Sequence, residues 1–270
     1  MPARVAVAGA TGRMGRMLIS ALLSASDMTL SGALAQSGSK HLGEDAGAPL
    51  GQISGVAIGA NRDHVLAASD LLIDFTTPEA TLANLAFCVA KKIPMVIGTT
   101  GFDSAGKAAI DAAGRTIGIV FAPNMSIGVN VALALIDLAA RSLPESYDAE
   151  IVEMHHRDKR DAPSGSALQM GEVIAHARNA RLEDVAEMPR HGLGKRSPRS
   201  IGIASLRGGD VIGDHSVIFA GPGERLEITH RSSSRATYAE GSLVAARFLL
   251  ANRERSGVFD MRAVLGIARP

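Results

Sequence analysis

The stretch "RVAVAGATGRMGRMLISALLSA", Arg4–Ala25, decides the fold. Arg4–Ala10 is a short apolar run behind one arginine, the signature of a strand buried on both faces, and Arg13–Ala25 carries the apolar spacing of a helix. Gly9, Gly12 and Gly15 stand between and just inside these two elements. The chain must turn tightly at Gly9, bring its backbone close to a diphosphate near Gly12, and pack helix on strand at Gly15. The helix N-terminus adds unpaired N–H groups and the positive end of its dipole. Gly9, Ala10, Thr11, Gly12, Arg13, Met14 and Gly15 are therefore candidate dinucleotide contacts. Alone the G-x-x-G-x-x-G run is weak evidence: a glycine-rich turn without a ligand has the same spacing, and Arg13 reads equally as a solvated helix residue.

Working outward, the same alternation recurs. Met28–Ala35 reads as the second strand, followed by a glycine-rich loop to about Gly55. Leu71–Pro78 leads into a helix to about Lys91, Pro94–Gly101 leads into another, and Ile117–Asn124 ends the series. Strand–helix–strand alternation with short connections predicts a Rossmann-like parallel sheet covered on both faces. Ligands bind at the carboxyl ends of such strands. Gly98, Thr99 and Thr100, then Ala122, Pro123, Asn124 and Met125, present small or amide groups at two of those ends, with Thr76 and Thr77 closing a neighbouring strand.

The second half has a different pattern. An apolar helix at Val129–Leu143 precedes "AEIVEMHH", a Pro-Ser-Gly turn and a helix from about Ser166 to Arg178. Three β-rich segments follow, Ser200–Gly209, Ile212–Gly221 and Glu224–Ser234, and a last helix spans Tyr238–Ala251. The expected fold class is α/β: the parallel-sheet domain, 1–126 with 237–270, plus an α+β domain, 127–236, with an open mixed sheet. The charged, proline-containing segment Arg181–Arg199 reads as a mobile surface loop.

Lys plus Arg, 28, nearly balances Asp plus Glu, 27, which argues against a nucleic-acid partner. With no Trp and two Tyr, base-stacking platforms are also missing. No apolar run approaches the roughly 18 residues of a membrane span, the first residues lack a signal peptide's pattern, and the single Cys88 suits inert core in a reducing cytoplasm.

The densest chemistry is "EMHHRDKRDAPSGSA", Glu153–Ala167. On a strand His155 and His156 point to opposite faces, and no Cys or H-E-x-x-H accompanies them, so no metal is expected. A solvated charged loop is one reading of the cluster. Against it, "PSGSA" opens a helix with capping-box spacing at Ser166 and Gln169, and Gly165 lets backbone approach, which makes an anion site. Cations beside such a site suit a small carboxylate substrate.

These motifs, "VAVAGATGRMGR", "DFTTPEATL", "VIGTTGF", "APNMSIGVNV", "EMHHRDKRDAPSGSAL", "GERLEITHRSSSR" and "GVFDMR", run over nearly the whole chain, which resembles the dihydrodipicolinate reductase family. The resemblance implies NADPH- and/or NADH-dependent reduction of 4-hydroxy-tetrahydrodipicolinate, a small cyclic dicarboxylate, in diaminopimelate and lysine synthesis. It implies catalytic roles for His155 and Lys159, substrate contacts from His156, Gly165 and Ser166, and, with the apolar β-rich segments from Ser200 to Thr229, a cytoplasmic homotetramer. The familiar form of the family carries Glu-Arg at the end of the second strand, where this chain has Ala35 and Gln36. With no acid to repel a 2′-phosphate, NADPH is expected to be accepted at least as well as NADH, with Arg13 or Lys40 as the nearest cations in sequence. Two rival readings are another NAD(P)-dependent reductase of a small carboxylate and a dinucleotide-sensing protein without catalysis; the latter needs no proton donor.

Overall fold

Along the chain run β1 (Ala3–Ala8), α1 (Arg13–Ser24), β2 (Met28–Leu34), β3 (Ile58–Gly59), α2 (Arg62–Val65), β4 (Leu71–Asp74), α3 (Pro78–Lys91), β5 (Met95–Ile97), α4 (Ser104–Ala113) and β6 (Gly118–Phe121). Then come α5 (Ile127–Ser142), β7 (Asp148–His155), α6 (Gly165–Ala177), α7 (Leu182–Val185), β8 (Ala186–Glu187), β9 (Ile201–Arg207), β10 (Gly213–Gly221) and β11 (Glu224–Ser232). The chain closes with α8 (Ala236–Ala251), β12 (Gly257–Phe259) and α9 (Met261–Val264). This computed structural model describes residues 1–188 and 190–268. Pro189, inside the loop expected at Arg181–Arg199, and the last two residues of the expected 237–270 segment lie outside the described residues. The chain divides into two compact units, Met1–Ile127 with Ala236–Ala268, and Gly128–Arg235.

In the first unit the described residues form a seven-stranded sheet in the order β12-β6-β5-β4-β1-β2-β3. Every pairing is parallel. Val5, Ala6, Val7 and Ala8 are all fully buried, because helices cover both faces of β1 and leave no solvent side for a polar residue. One face packs under α1 and α8, with Leu18, Ile19, Leu22, Leu243 and Leu249 buried there; Leu85, Cys88 and Ile110 of α3 and α4 cover the other. Strand order reverses at β1, which pairs with β2 on one side and β4 on the other. A crevice opens at the carboxyl ends of strands at such a reversal.

The second unit holds a five-stranded sheet, β11-β10-β7-β9-β8. β11, β10 and β7 are antiparallel neighbours, while β7, β9 and β8 run parallel. Alternation along β7 buries Ala149, Ile151, Glu153 and His155 on one face, where Leu133 and Ile136 of α5 and Met170 and Ile174 of α6 complete the core. The opposite face keeps Val152, Met154 and Ile218 half-buried and Leu206 exposed.

Two expectations need correction. Arg181–Arg199 is not a featureless loop: α7 and β8 lie within it, and β8 pairs with β9. Arg196 ties the segment down through Glu150, Asp148 and the carbonyls of Ala149 and Ser200. Nor is Ser166 the helix cap. α6 starts one residue earlier, and Ser164 caps it, its hydroxyl accepting from Ala167 N at 3.2 Å. The start is fixed from outside the helix, since Ser164 N donates to the buried Glu153 carboxylate at 3.2 Å. That tertiary bond outweighs the local capping-box spacing at Ser166.

Candidate active site

The crevice at the strand reversal is a cavity of about 660 Å³ whose walls include Gly9, Thr11, Gly12, Ala35, Gln36, Arg62, Phe75, Thr76, Thr77 and Asn84. Gly9 has φ +75°, and a Cβ there would sit 3.0 Å from Thr76 Cγ2 and 3.1 Å from the Phe75 carbonyl oxygen. Gly15 cannot carry a side chain either, because its Cβ would fall 2.1 Å from Gly9 O. Gly12 stands at the N-cap of α1 in extended conformation and offers no side chain to satisfy the first-turn N–H groups. The cradle is thus built of backbone, with positive helix-end potential and no carboxylate among the described residues that line it. This fits the diphosphate of a dinucleotide.

Beneath the crevice sits Asp74, fully buried at the end of β4. Its Oδ1 accepts from Thr76 N and Oγ1 (3.0 and 2.6 Å) and from Thr81 Oγ1 (3.1 Å); its Oδ2 accepts from Asn84 Nδ2 (2.7 Å). Thr99 joins this network with its hydroxyl turned inward, 2.8 Å from Thr81 Oγ1, so its side chain is spent on the scaffold. Burial, then the negative Asp74, pushes the Cys88 thiol up to about 12, as inert core requires. Gly98 proves to be a packing glycine: its Cβ would lie 2.1 Å from Cζ of Phe75.

Of the residues expected to hold a cofactor, Gly9, Thr11, Gly12, Ala35 and Gln36 line the crevice. Gly98–Thr100 follow β5, the neighbour of β4, and Ala122–Met125 follow β6, one strand further along the same carboxyl edge. There Thr100 and Pro123 are exposed, Ala122 and Met125 buried, and Asn124 Oδ1 accepts from Ser126 N at 2.9 Å. Ala10 and Gly15 are buried, Met14 half-buried, and Arg13 is exposed at the start of α1. Arg62 and Phe75 escaped the sequence reading. Arg62 follows a two-residue strand too short to show a period, and Phe75 looks like strand interior.

The second constellation lies in the other unit and is built of side chains. Glu153 is fully buried. Arg207 grips it with two nitrogens (2.8 and 2.9 Å), Ser164 N donates to it, and His155 Nδ1 lies 2.6 Å from its Oε2. Burial alone would raise this carboxyl, but Arg207, Ser205 and His155 outweigh it and hold it at about 2. An ionised carboxylate only accepts hydrogen bonds, so Nδ1 of His155 carries the proton and Nε2 of the neutral ring carries the lone pair. Burial lowers the His155 pKa against the opposing pull of Glu153, with Lys159 and Arg207 adding to the lowering. The ring is therefore neutral near pH 7.

Around this pair the rest of the cluster is tied together. Arg207 NH2 also donates to Asp161 O at 2.7 Å, and Asp161 holds Lys159 Nζ at 2.9 Å. His215 packs edge-on to His155 with ring centroids 5.1 Å apart, and its Nε2 meets Ser164 Oγ at 3.0 Å. Its buried Nδ1 has no hydrogen-bond partner among the described residues. Burial first, then the neighbouring His155, lowers its pKa to about 4. His156 is the first residue past β7, and its Nε2 is 3.5 Å from an Arg235 nitrogen. Gly165 is exposed at the first turn of α6, with open space where a Cβ would stand. Among the described residues no group of three His, Cys, Asp or Glu has the arrangement of a metal site.

Sequence reasoning missed Glu153, Arg207 and His215. Glu153 was within reach, since a residue two before His155 on a strand shares its face. Arg207 and His215 were not: Arg207 faces His155 only through the β7–β9 register, and His215 faces Glu153 only through β7–β10.

Two family models match this chain: dihydrodipicolinate reductase, N-terminus, over residues 3–125, and dihydrodipicolinate reductase, C-terminus, over residues 128–265. A 4-hydroxy-tetrahydrodipicolinate reductase of Herminiimonas arsenicoxydans is 58% identical over 265 residues, covering 98% of each chain. Its counterpart in Bordetella parapertussis is 56% identical over 267 residues, again covering 98% of each. Among solved structures, dipicolinate-bound dihydrodipicolinate reductase from Paenisporosarcina sp. TG-14 superposes with TM-score 0.79 at 25% identity, covering 96% of this chain and 98% of that one. An amine dehydrogenase from Mycobacterium smegmatis, TM-score 0.61 at 14% identity over 96% of this chain and 95% of its own, shares the fold alone.

Proposed function

Since this chain belongs to the dihydrodipicolinate reductase family and is an NAD(P)H-dependent enzyme reducing 4-hydroxy-tetrahydrodipicolinate to tetrahydrodipicolinate for diaminopimelate and lysine synthesis, we propose how its residues divide that work. Gly9–Gly15, with Ala35, Gln36, Gly98–Thr100 and Ala122–Met125, hold the dinucleotide. His155 and Lys159 handle protons, and His156, Gly165 and Ser166 hold the substrate's carboxylates. The observation that carries this reading is the 2.6 Å pairing of His155 with a buried, ionised Glu153 gripped by Arg207.

The 4-hydroxyl and a neighbouring ring proton leave as water, which makes the ring conjugated; NAD(P)H, when bound, would supply the hydride to that ring and leave negative charge on it. The chain's own residues meet that charge and the reaction's demand for one proton. Lys159 Nζ, parked on Asp161, is the proton source, and its ammonium stabilises the developing charge. Glu153 fixes His155 so that the Nε2 lone pair is the single proton-accepting position on the ring, ready to take a proton and return it. The first N–H groups of α6 receive one carboxylate, with Gly165 leaving the approach clear. His156 beside Arg235 suits the other.

The test is dinucleotide oxidation, followed with NADH and with NADPH, on freshly made condensation product of aspartate semialdehyde and pyruvate. Pyridine-2,6-dicarboxylate, which offers both carboxylates on a planar ring, should compete with that substrate. Inhibition that added substrate cannot relieve would count against a shared pocket.

The same reading makes the protein a cytoplasmic homotetramer. Its support is the uncovered sheet face carrying Val152, Met154, Leu206 and Ile218, apolar area that a second copy's sheet would bury. No described helix is long and apolar enough to cross a membrane. A monomer mass by light scattering at micromolar concentration would refute the tetramer.

A further inference from the structure

The dinucleotide crevice has one charged residue among the described residues on its wall, and it is Arg62. Arg62 opens α2, just past β3, which pairs with β2 beside Leu34. It shares the wall with Ala35, Gln36 and Ser37, where β2 ends. This is the place where dinucleotide domains distinguish a ribose hydroxyl from its phosphate. Neither Arg13 nor Lys40, the cations nearest in sequence, is part of that wall.

Arg62 is held for such a role. Its Nε donates to Asn84 Oδ1 at 2.5 Å, and Asn84 Nδ2 donates to the buried Asp74 at 2.7 Å. A carboxylate accepts only, so the Asn84 amide has one allowed orientation, with its oxygen toward Arg62. The guanidinium plane is thereby fixed through one nitrogen. No carboxylate among the described residues forms an ion pair with it, so the two terminal nitrogens keep their donors. Such a planar fork matches phosphate oxygens.

Resting on the cofactor reading above, we propose that Arg62 recognises the 2′-phosphate of NADPH and takes the place of the arginine that this chain lacks at Gln36. Ala35 complements it by placing no negative charge at the ribose. The crevice is thus tuned to the phosphorylated dinucleotide from the third strand instead of the second.

The experiment is a titration of the full-length enzyme with NADPH and with NADH, without substrate, read by cofactor fluorescence. Arg62→Gln should weaken NADPH about tenfold, the scale of a lost hydrogen bond to a charged group, and leave NADH within about twofold. Retained NADH binding certifies the fold of the variant. Raising salt should narrow the wild-type NADPH–NADH gap and leave the variant's unchanged. Arg62→Lys keeps charge without the fork; it should hold part of the preference, and it decides the matter if Arg62→Gln does not fold. Equal loss of both dinucleotides would assign Arg62 to the adenine or the scaffold and overturn the proposal, as would an unchanged ratio in both variants. Wild type that binds neither dinucleotide would overturn the cofactor reading itself, and this proposal with it.

Discussion

The two candidate sites, one in each unit, are built from different materials. The crevice of the first unit is made of backbone: glycines where a Cβ would collide, a helix end, and one arginine on the wall. The cluster of the second unit is made of ionised side chains packed around a carboxylate with no solvent exposure. A backbone cradle carries partial charges that do not titrate, whereas the cluster's charges are tied to pH and to one another. The first should therefore tolerate changes of condition that the second does not.

The largest expected effect tests whether the two sites are separable. Lys159→Ala and His155→Ala should each lower kcat about 10²–10⁴-fold while leaving NADPH affinity within about twofold. Near-normal turnover, or parallel loss of dinucleotide affinity, would break the division of labour. Next comes the buried ion pair. Glu153→Gln keeps the shape and removes the charge, stranding Arg207, and should cost about 3–5 kcal/mol in denaturant unfolding. A cost under about 1 kcal/mol would mean that water or another anion already serves Arg207.

The third effect is pH dependence, and its sign follows from four lowered pKa values. The neutral His215 of the folded state, at about 4 against 6.5 for an ordinary histidine, binds fewer protons than the unfolded chain between those limits. Stability is full above about pH 6.5 and falls as pH drops toward 4. At about 1.4 kcal/mol per pH unit the loss reaches at most about 3 kcal/mol. His155 and His230, also lowered by burial, act in the same direction. Glu153, at about 2 against 4.5, adds a second loss that starts below about pH 4.5. Urea midpoints from pH 8 to pH 4 should show this slope, and His215→Gln should flatten it; an unchanged slope in the variant would clear His215 of the effect. The smallest effect separates two serines. Ser164→Ala should cost about 1 kcal/mol as a lost cap, more than Ser166→Ala; the reverse order would restore the capping box at Ser166.

The same contrast governs what could be read from the sequence. Gly9, Gly12 and Gly15 were legible because the constraint on them is local: a turn, a close approach and a helix start within seven residues. The alternation of strands and helices in the first unit was legible for the same reason. His155 and Lys159 were singled out through the resemblance of their motif, but the partners that set the state of His155 were not. Arg207 and His215 reach it across strand registers, which no short window encodes. Ser166 was misread because its local spacing is a good cap, and only the Glu153–Ser164 bond reveals that the helix begins earlier. Arg181–Arg199 looked unstructured because its order comes from Glu150 and Asp148, 46 and 48 residues before Arg196.

The first unit is discontinuous in the chain, and this has a consequence for biosynthesis. One face of its sheet is roofed by Ala239, Leu243, Ala246 and Leu249 of α8, which the ribosome makes only after the whole second unit. At about 5–20 residues per second, that face waits roughly 5–20 s for its cover. The contiguous second unit needs no such wait and completes its core first. During synthesis the part of that face not covered by α1 stays open, a natural client for a chaperone acting on nascent chains. Limited proteolysis of ribosome-stalled chains ending before and after α8 would register the moment at which that exposure ends.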